Sequence, residues 1–304
     1  MGREYCWGID LGGTKIEAII LDPANDYAIV ARERVPTNAH LGYESVVQTI
    51  KSHIQKMETD SGINCQRIGM GTPGSINPYT RELRNCNSVY LNGHKFQEDL
   101  QDALGIPVRI TNDANCFAVS EYKLGIIKEE YPEARVVVGV IMGTGVGSGL
   151  VVNGEIINGK NGIGGEWGHN YLDESGGDCY CGKTGCVETI LSGPALEKYY
   201  ASLSGTALKL KEIVMAYREG KDEYAVRTMD RLFHFFPLAI SNVINILDPD
   251  VIVMGGGLGN IDELYTEGLK KLDAFVFSDY INTEFTRPKF GDSSGVLGAA
   301  LLFT

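Results

Sequence analysis

The strongest constraint on this chain is a design that occurs twice. Near the start, an apolar run at residues 5–10 leads at once into Gly12-Gly13 and then into a second apolar run at 16–21, closed by Asp22-Pro23. Later, the run 136–142 leads into Gly143-Thr144-Gly145-Val146-Gly147 and returns at 149–152. Short apolar runs joined by glycine turns predict hairpins of two strands. Two hairpins of one design predict an internally duplicated chain, with two unrelated hairpins as the alternative. In a chain of 304 residues two domains are the default, because single cores stop growing at ~250–300 residues.

The remaining signals fit that plan. Val46, Val47, Ile50, Ile54 and Met57 recur at helical spacing and predict a helix over 43–57. Residues 67–71, stopped by Pro73-Gly74, and residues 108–111 read as strands. Asn112-Asp113 then opens a helix to about Lys123. Helical patterns dominate 194–247, and Pro237 inside the longest of them is expected to kink or break it. Residues 251–254 form a last buried strand before Gly255-Gly256-Gly257, and 295–303 a short closing helix. Strands alternating with helices predict an α/β class.

Charge and cysteine usage narrow the function. With 39 acidic against 27 basic residues the net charge is −12, which repels phosphate backbones and argues against nucleic-acid binding. The longest uncharged run, 136–154, carries six glycines and reads as strand–turn–strand rather than a bilayer span. No apolar stretch of signal-peptide length opens the sequence, so the expectation is a cytoplasmic protein without a membrane partner. Seven cysteines, three of them at 179, 181 and 186, point to a metal site rather than a disulfide scaffold.

Four motifs carry candidate chemistry. In Asp10-Leu11-Gly12-Gly13-Thr14-Lys15 the glycines allow main-chain N–H groups to point at phosphate oxygens, and Asp10 is placed to hold Mg²⁺. Gly143, Thr144, Gly145, Val146 and Gly147 offer a second such cradle. An ordinary glycine hairpin is the alternative for each. Asn112-Asp113 is either a helix cap or a carboxylate that takes a proton from an attacking hydroxyl, with Asn112 bonding a neighbouring hydroxyl. His169, Cys179, Cys181 and Cys186 satisfy a tetrahedral zinc site, or are reduced thiols beside a histidine. Glu166 and Glu188 flank this knot, either recognising sugar hydroxyls or standing in solvent.

Taken together and in this order, these motifs resemble the ROK family of sugar kinases and repressors over essentially the whole chain. The resemblance implies the actin-like/hexokinase-like ATPase fold: residues 1–119 as a small α/β domain, with a closing helix at 294–304 packed back on it, and 120–293 as a large α/β domain with a zinc-binding loop. It implies Asp113 as catalytic base and Asn112, Glu166, His169 and Glu188 as sugar contacts, with Gly74 and Asn87 beside them. It further implies His169, Cys179, Cys181 and Cys186 as zinc ligands, so that His169 serves metal and sugar with different ring nitrogens. Gly255, Gly256 and Gly257 match the stretch near the adenosine, and a homodimer is implied. The family's repressors carry a DNA-binding segment before the first strand, for which the expectation here is no room.

Within the family, residues 71–80, 85–93 and 165–170 resemble the bacterial fructokinase/mannokinase branch. The expected reaction is therefore ATP-dependent phosphorylation of the 6-hydroxyl of a free hexose, fructose first. A pocket closed around ring hydroxyls would lack space for an acetamido group. The alternatives are a mannose, glucose or N-acetylhexosamine kinase, and a sugar-sensing regulator without catalysis.

Overall fold

The computed structural model describes residues 3–304. Met1 and Gly2, part of the expected first domain, lie outside the described residues. The opening hairpin is β1 (Cys6–Leu11) and β2 (Lys15–Asp22), extended by β3 (Ala28–Pro36). Next come α1 (Tyr43–Ser61), β4 (Ile68–Thr72) and a small ribbon of β5 (Ser75–Ile76) and β6 (Leu83–Arg84). Then follow α2 (Phe96–Leu104), β7 (Val108–Asn112), α3 (Asp113–Lys123) and α4 (Ile126–Glu130). The pattern restarts with β8 (Val136–Met142), β9 (Val146–Val152) and β10 (Glu155–Ile156). Helices α5 (Glu188–Leu191), α6 (Gly193–Ser204), α7 (Leu210–Glu219) and α8 (Glu223–Leu247) follow. The chain closes with β11 (Val251–Gly255), α9 (Gly256–Gly259), β12 (Glu284–Thr286) and α10 (Ser294–Ala300).

The duplication is visible in the sheets. One has the order β3-β2-β1-β4-β7 and the other β10-β9-β8-β11-β12, so each sets a hairpin and an added edge strand beside two further strands. β1, β4 and β7 run parallel in one, and β8, β11 and β12 in the other. Ligands of such sheets bind beyond the carboxyl ends of the parallel strands. The register puts Asp10 level with Gly71, and Gly71 level with Thr111. Asp10 and the Asn112-Asp113 pair therefore leave one sheet at the same end. In the other sheet Gly255 is level with Ile141, which sends Gly256-Gly257 and the Gly143 turn out together.

The chain forms two compact units, one of residues 3–132, Gly149–Gly164 and Lys289–Thr304, the other of Glu133–Ser148 and Gly165–Pro288. The expected division between 119 and 120 falls inside α3, and the contacts of that helix keep it whole within the first unit. That unit's core joins Trp7, Ile9, Ile16 and Ile20 to the apolar stripe of α1 and to Phe96 and Leu100 of α2. Each such aliphatic side chain contributes roughly 1.5–3 kcal/mol on burial. Helix α10 lies against β1 and β4 where glycine leaves room. A Cβ on Gly8 would stand 2.4 Å from the Ala300 nitrogen, and one on Gly69 1.9 Å from the Ala299 oxygen.

Helix α8 is not broken at Pro237, and runs as one helix from Glu223 to Leu247. Met229, Leu232, Phe236, Ala239, Ile240 and Val243 bury one continuous face across the proline. That packing outweighs the ~3 kcal/mol cost of an interior proline. All seven cysteines are free thiols. Among the described residues no helix is long and apolar enough to cross a membrane.

Candidate active site

In the first unit the glycine turn is a tight, exposed reversal. Gly12 N–H donates to the Lys15 carbonyl at 3.0 Å, and the Thr37 hydroxyl donates to the Gly12 carbonyl at 2.8 Å. Lys15 belongs to β2 rather than to the turn, and Gly13 and Thr14 stand exposed at the tip. Asp10 closes in from β1. Burial, then the charges of Asp113 and Glu17, push its carboxyl up to about 6. A carboxylate that resists ionisation beside a second one suits a divalent cation, whose charge relieves both the desolvation and the repulsion. Glycines 71 and 295 come close enough that a Cβ on either would stand 3.7 Å and 3.3 Å from Asp10 carboxylate atoms.

The helix-cap reading of Asn112-Asp113 is visible in the structure. Asn112 Oδ1 caps α3 by accepting the Ala114 N–H at 2.8 Å, and its Nδ2 donates to the Gly74 carbonyl at 3.0 Å. Asp113 Oδ1 also accepts the Ala114 N–H at 2.8 Å. Asp113 is thus aimed by the first turn of a helix whose start is cross-braced to the Pro73-Gly74 turn. Gly74 has φ +74°, and a Cβ there would meet the Arg84 carbonyl at 2.3 Å, so glycine is required. Asn87 is exposed on the loop after β6, the loop that brings Ser88 Oγ within 3.7 Å of a Cβ placed on Gly13.

Sequence reasoning missed a brace behind Asp113. Asn158 Oδ1 accepts from Thr111 Oγ1 at 3.2 Å and from Asn115 Nδ2 at 3.1 Å. It ties the end of β7 to the first turn of α3. Only the run Asn158-Gly159-Lys160-Asn161-Gly162, rich in residues that hold irregular backbone, hinted at it.

In the second unit the expected five-residue turn shrinks to Gly143–Gly145, because Val146 and Gly147 already lie in β9. Gly143 N–H donates to the Gly145 carbonyl at 2.9 Å, and the Gly143 carbonyl accepts from Gly193 N–H at 2.9 Å. A Cβ on Gly143 would stand 3.9 Å from the Gly257 nitrogen, so the two glycine stretches adjoin. Gly256 has φ +78°, and a Cβ there would stand 2.3 Å from the Met142 carbonyl oxygen. Glu188 Oε2 accepts the Val146 N–H at 2.9 Å. The 3-10 turn Trp167–His169 follows Glu166, and a Cβ on its Gly168 would lie 1.9 Å from the Val146 carbonyl. Val187 N–H donates to the Asn170 carbonyl at 2.9 Å. Glu188, at the start of α5, and His169, at the end of the 3-10 turn, are therefore held on adjoining segments of one knot.

The donor atoms of His169, Cys179, Cys181 and Cys186 lie within 4.8 Å of one another. His169 Nδ1 to Cys179 Sγ and Cys181 Sγ to Cys186 Sγ are both 3.6 Å. A tetrahedral zinc ion with ~2.3 Å sulfur bonds separates its ligands by roughly 3.8 Å, so the set fits. His169 Nε2 is not open, because the Tyr180 hydroxyl stands 3.0 Å away. No sequence signal beyond an aromatic between two cysteines of the cluster marked Tyr180.

A model of the ROK family matches residues 6–304. The chain is 38% identical over 309 residues to the N-acetyl-D-glucosamine kinase of Histophilus somni (strain 129Pt), covering 98% of each chain. It is 37% identical over 309 residues to the N-acetyl-D-glucosamine kinase of Pasteurella multocida (strain Pm70), again covering 98% of each. Among solved structures it superposes on the ROK hexokinase from Thermus thermophilus with a TM-score of 0.85 at 29% identity, covering 98% of this chain and 97% of that one. These neighbours share the actin-like ATPase fold of two α/β halves.

Proposed function

The chain belongs to the ROK family, and from that premise we propose that it transfers the γ-phosphoryl group of ATP to the primary hydroxyl of a free N-acetylhexosamine, N-acetylglucosamine foremost. The observation that carries the chemistry is the placement of two carboxylates at one end of the first unit's sheet, Asp113 at the head of α3 and Asp10 near the end of β1, with the charge of Asp113 adding to burial in raising Asp10. Full-length likeness to N-acetylglucosamine kinases carries the substrate class. Fructose, expected from residues 71–80, 85–93 and 165–170, is not supported by these relatives. The N-acetylhexosamine alternative replaces it.

In this reading Asp113 accepts the proton of the sugar hydroxyl as that oxygen attacks the γ-phosphorus. Asn112 and the Ala114 N–H fix its direction. Asp10 holds the Mg²⁺ that neutralises phosphate charge. The N–H groups of Gly12–Thr14 and Gly143–Gly145 receive phosphate oxygens, and the Gly255–Gly257 stretch borders the nucleoside. Glu166 and Glu188 bond sugar hydroxyls, and the zinc knot keeps Glu188 in register. Asn87 and Gly74 are likewise assigned to the sugar. Each unit acts as one domain of the enzyme.

The test is steady-state ADP release with saturating Mg-ATP across N-acetylglucosamine, N-acetylmannosamine, glucose, mannose and fructose. The expected result is a kcat/KM for N-acetylglucosamine at least ~10-fold above that for any other sugar, within the range that pocket contacts discriminate. A fructose value equal or higher overturns the substrate. No ADP release with any sugar overturns the kinase.

A further inference from the structure

We infer that Tyr180 is a sugar-contacting residue that helps set hexose selectivity, its hydroxyl standing between His169 and the sugar; the inference rests on the kinase reading above. His169 has two ring nitrogens with two different neighbours. Nδ1 faces Cys179 Sγ at 3.6 Å, inside the four-residue donor cluster. Nε2 faces the Tyr180 hydroxyl at 3.0 Å. A histidine that offers its Nδ1 lone pair to a metal carries its proton on Nε2, and that N–H donates to the phenol oxygen. The nitrogen expected to meet the sugar is therefore engaged by this chain's own side chain. The phenol then has its own O–H to give away.

The setting of Tyr180 favours a sugar as the recipient. Its ring meets the His169 ring edge-on, with centroids 5.1 Å apart and planes at 89°. The residue is nonetheless 73% exposed, so an open aromatic face and a polar tip are presented together. Pyranose rings are recognised by that combination, C–H groups against the face and a hydroxyl at the tip. The backbone under it is firm. Cys179 and Cys181 flank it, and Cys179 N–H donates to the Lys183 carbonyl at 2.8 Å. Glu188, one of the carboxylates assigned to sugar hydroxyls, opens α5 just after Cys186 of the same cluster. A lone exposed aromatic carries no message; one within hydrogen-bond distance of the second ring nitrogen of the cluster histidine does.

Tyr180→Phe removes the hydroxyl and keeps the ring, and Tyr180→Ala removes both. Calorimetric titration of the zinc-loaded protein with the preferred hexose reads binding without turnover. Kinetics then separate KM from kcat, and elemental analysis reads zinc content. The expected result for Tyr180→Phe is a sugar Kd and KM raised roughly 2- to 10-fold, the weight of one neutral hydrogen bond. KM for ATP and zinc content stay unchanged and kcat moves less than about twofold. Tyr180→Ala should weaken sugar further and narrow the preference between N-acetylglucosamine and glucose. Unchanged or tighter sugar binding by Tyr180→Phe overturns the inference. So does a loss of zinc, which would make the phenol a brace of the metal loop. Failure of the wild-type protein to bind or phosphorylate any hexose counts against the kinase reading instead.

Discussion

Glu188 Oε2 accepts the main-chain N–H of Val146 at 2.9 Å, which fastens a side chain of the cysteine knot to the strand leaving the second glycine turn. One carboxylate oxygen is thereby committed to position, and the orientation of the other follows from it. The same contact explains Gly145, where a Cβ would stand 2.6 Å from that oxygen.

Gly145→Ala should therefore act on the sugar rather than only on the nucleotide. The methyl group turns the Glu188 carboxylate away and breaks a charge-assisted hydrogen bond. The expected effect is a hexose KM raised roughly 10-fold or more, from the weight of such bonds. Glu188→Ala should reproduce it. Steady-state kinetics with each substrate varied in turn is the check, and a rise confined to the ATP KM contradicts this coupling.

Asp113→Asn tests the base. The amide oxygen of asparagine can still accept the Ala114 N–H, so the start of α3 survives. What disappears is proton acceptance, and kcat should fall by ~10²–10⁴. The thermal midpoint should stay close to that of the parent. Near-normal turnover would leave Asp113 as a helix cap. Asn112→Ala should do the reverse on stability, because it removes the cap and the brace to Gly74 together, at a cost of about 1 kcal/mol or more.

Much of this arrangement was legible because glycine turns and apolar periodicity are strong local signals. Val46, Ile50, Ile54 and Met57 give α1 its buried stripe, and both hairpins fall where the runs predicted them. Strand β3 was not legible, since Arg32, Glu33 and Arg34 break its apolar pattern. It is an edge strand whose arginines pair with Glu17 on β2, a contact made only after folding. The continuity of α8 through Pro237 likewise depends on tertiary packing. Within the candidate site, residues whose type names their chemistry stood out. Asn158 and Tyr180 did not, because their meaning lies in a neighbour distant along the chain or across a turn. The preferred sugar was least legible, because the residue types of 71–80 and 85–93 do not by themselves name a ring.

The thiol knot predicts one zinc ion per chain, found by elemental analysis of protein purified without chelator. Structural zinc sites contribute to folding, so prolonged chelation should lower the thermal midpoint and restored zinc should recover it. Cys181 is the exposed member of the cluster, and Cys181→Ser should lose the metal while leaving the first unit's core untouched. Because the knot holds Glu188, the hexose KM should rise more than the ATP KM. Stoichiometric absence of zinc from active enzyme would sink the site.

Asp10 carries a pH signature whose sign is opposite to that of a salt-bridged carboxylate. Burial, Asp113 and Glu17 raise its pKa to about 6, from 3.8 in the absence of these neighbours. The folded chain thus holds this proton more tightly than the unfolded one. Its contribution to stability is most favourable below about pH 4, declines as pH rises from about 4 to about 6, and is level above that. Ionised Asp10 costs the fold up to ~3 kcal/mol at neutral pH, an upper bound from the size of the shift. Asp10→Asn removes the cost. Without divalent cation, the variant should be more stable than the parent at pH 7.5, with the advantage shrinking towards pH 4. Millimolar Mg²⁺ should stabilise the parent by mass action and the variant little, while phosphoryl transfer is largely lost. Denaturant midpoints of both proteins at pH 4.5 and 7.5, with and without Mg²⁺, decide it. A variant less stable than the parent at pH 7.5 without cation would mean that Asp10 is a structural carboxylate rather than a cation ligand held at a cost to the fold.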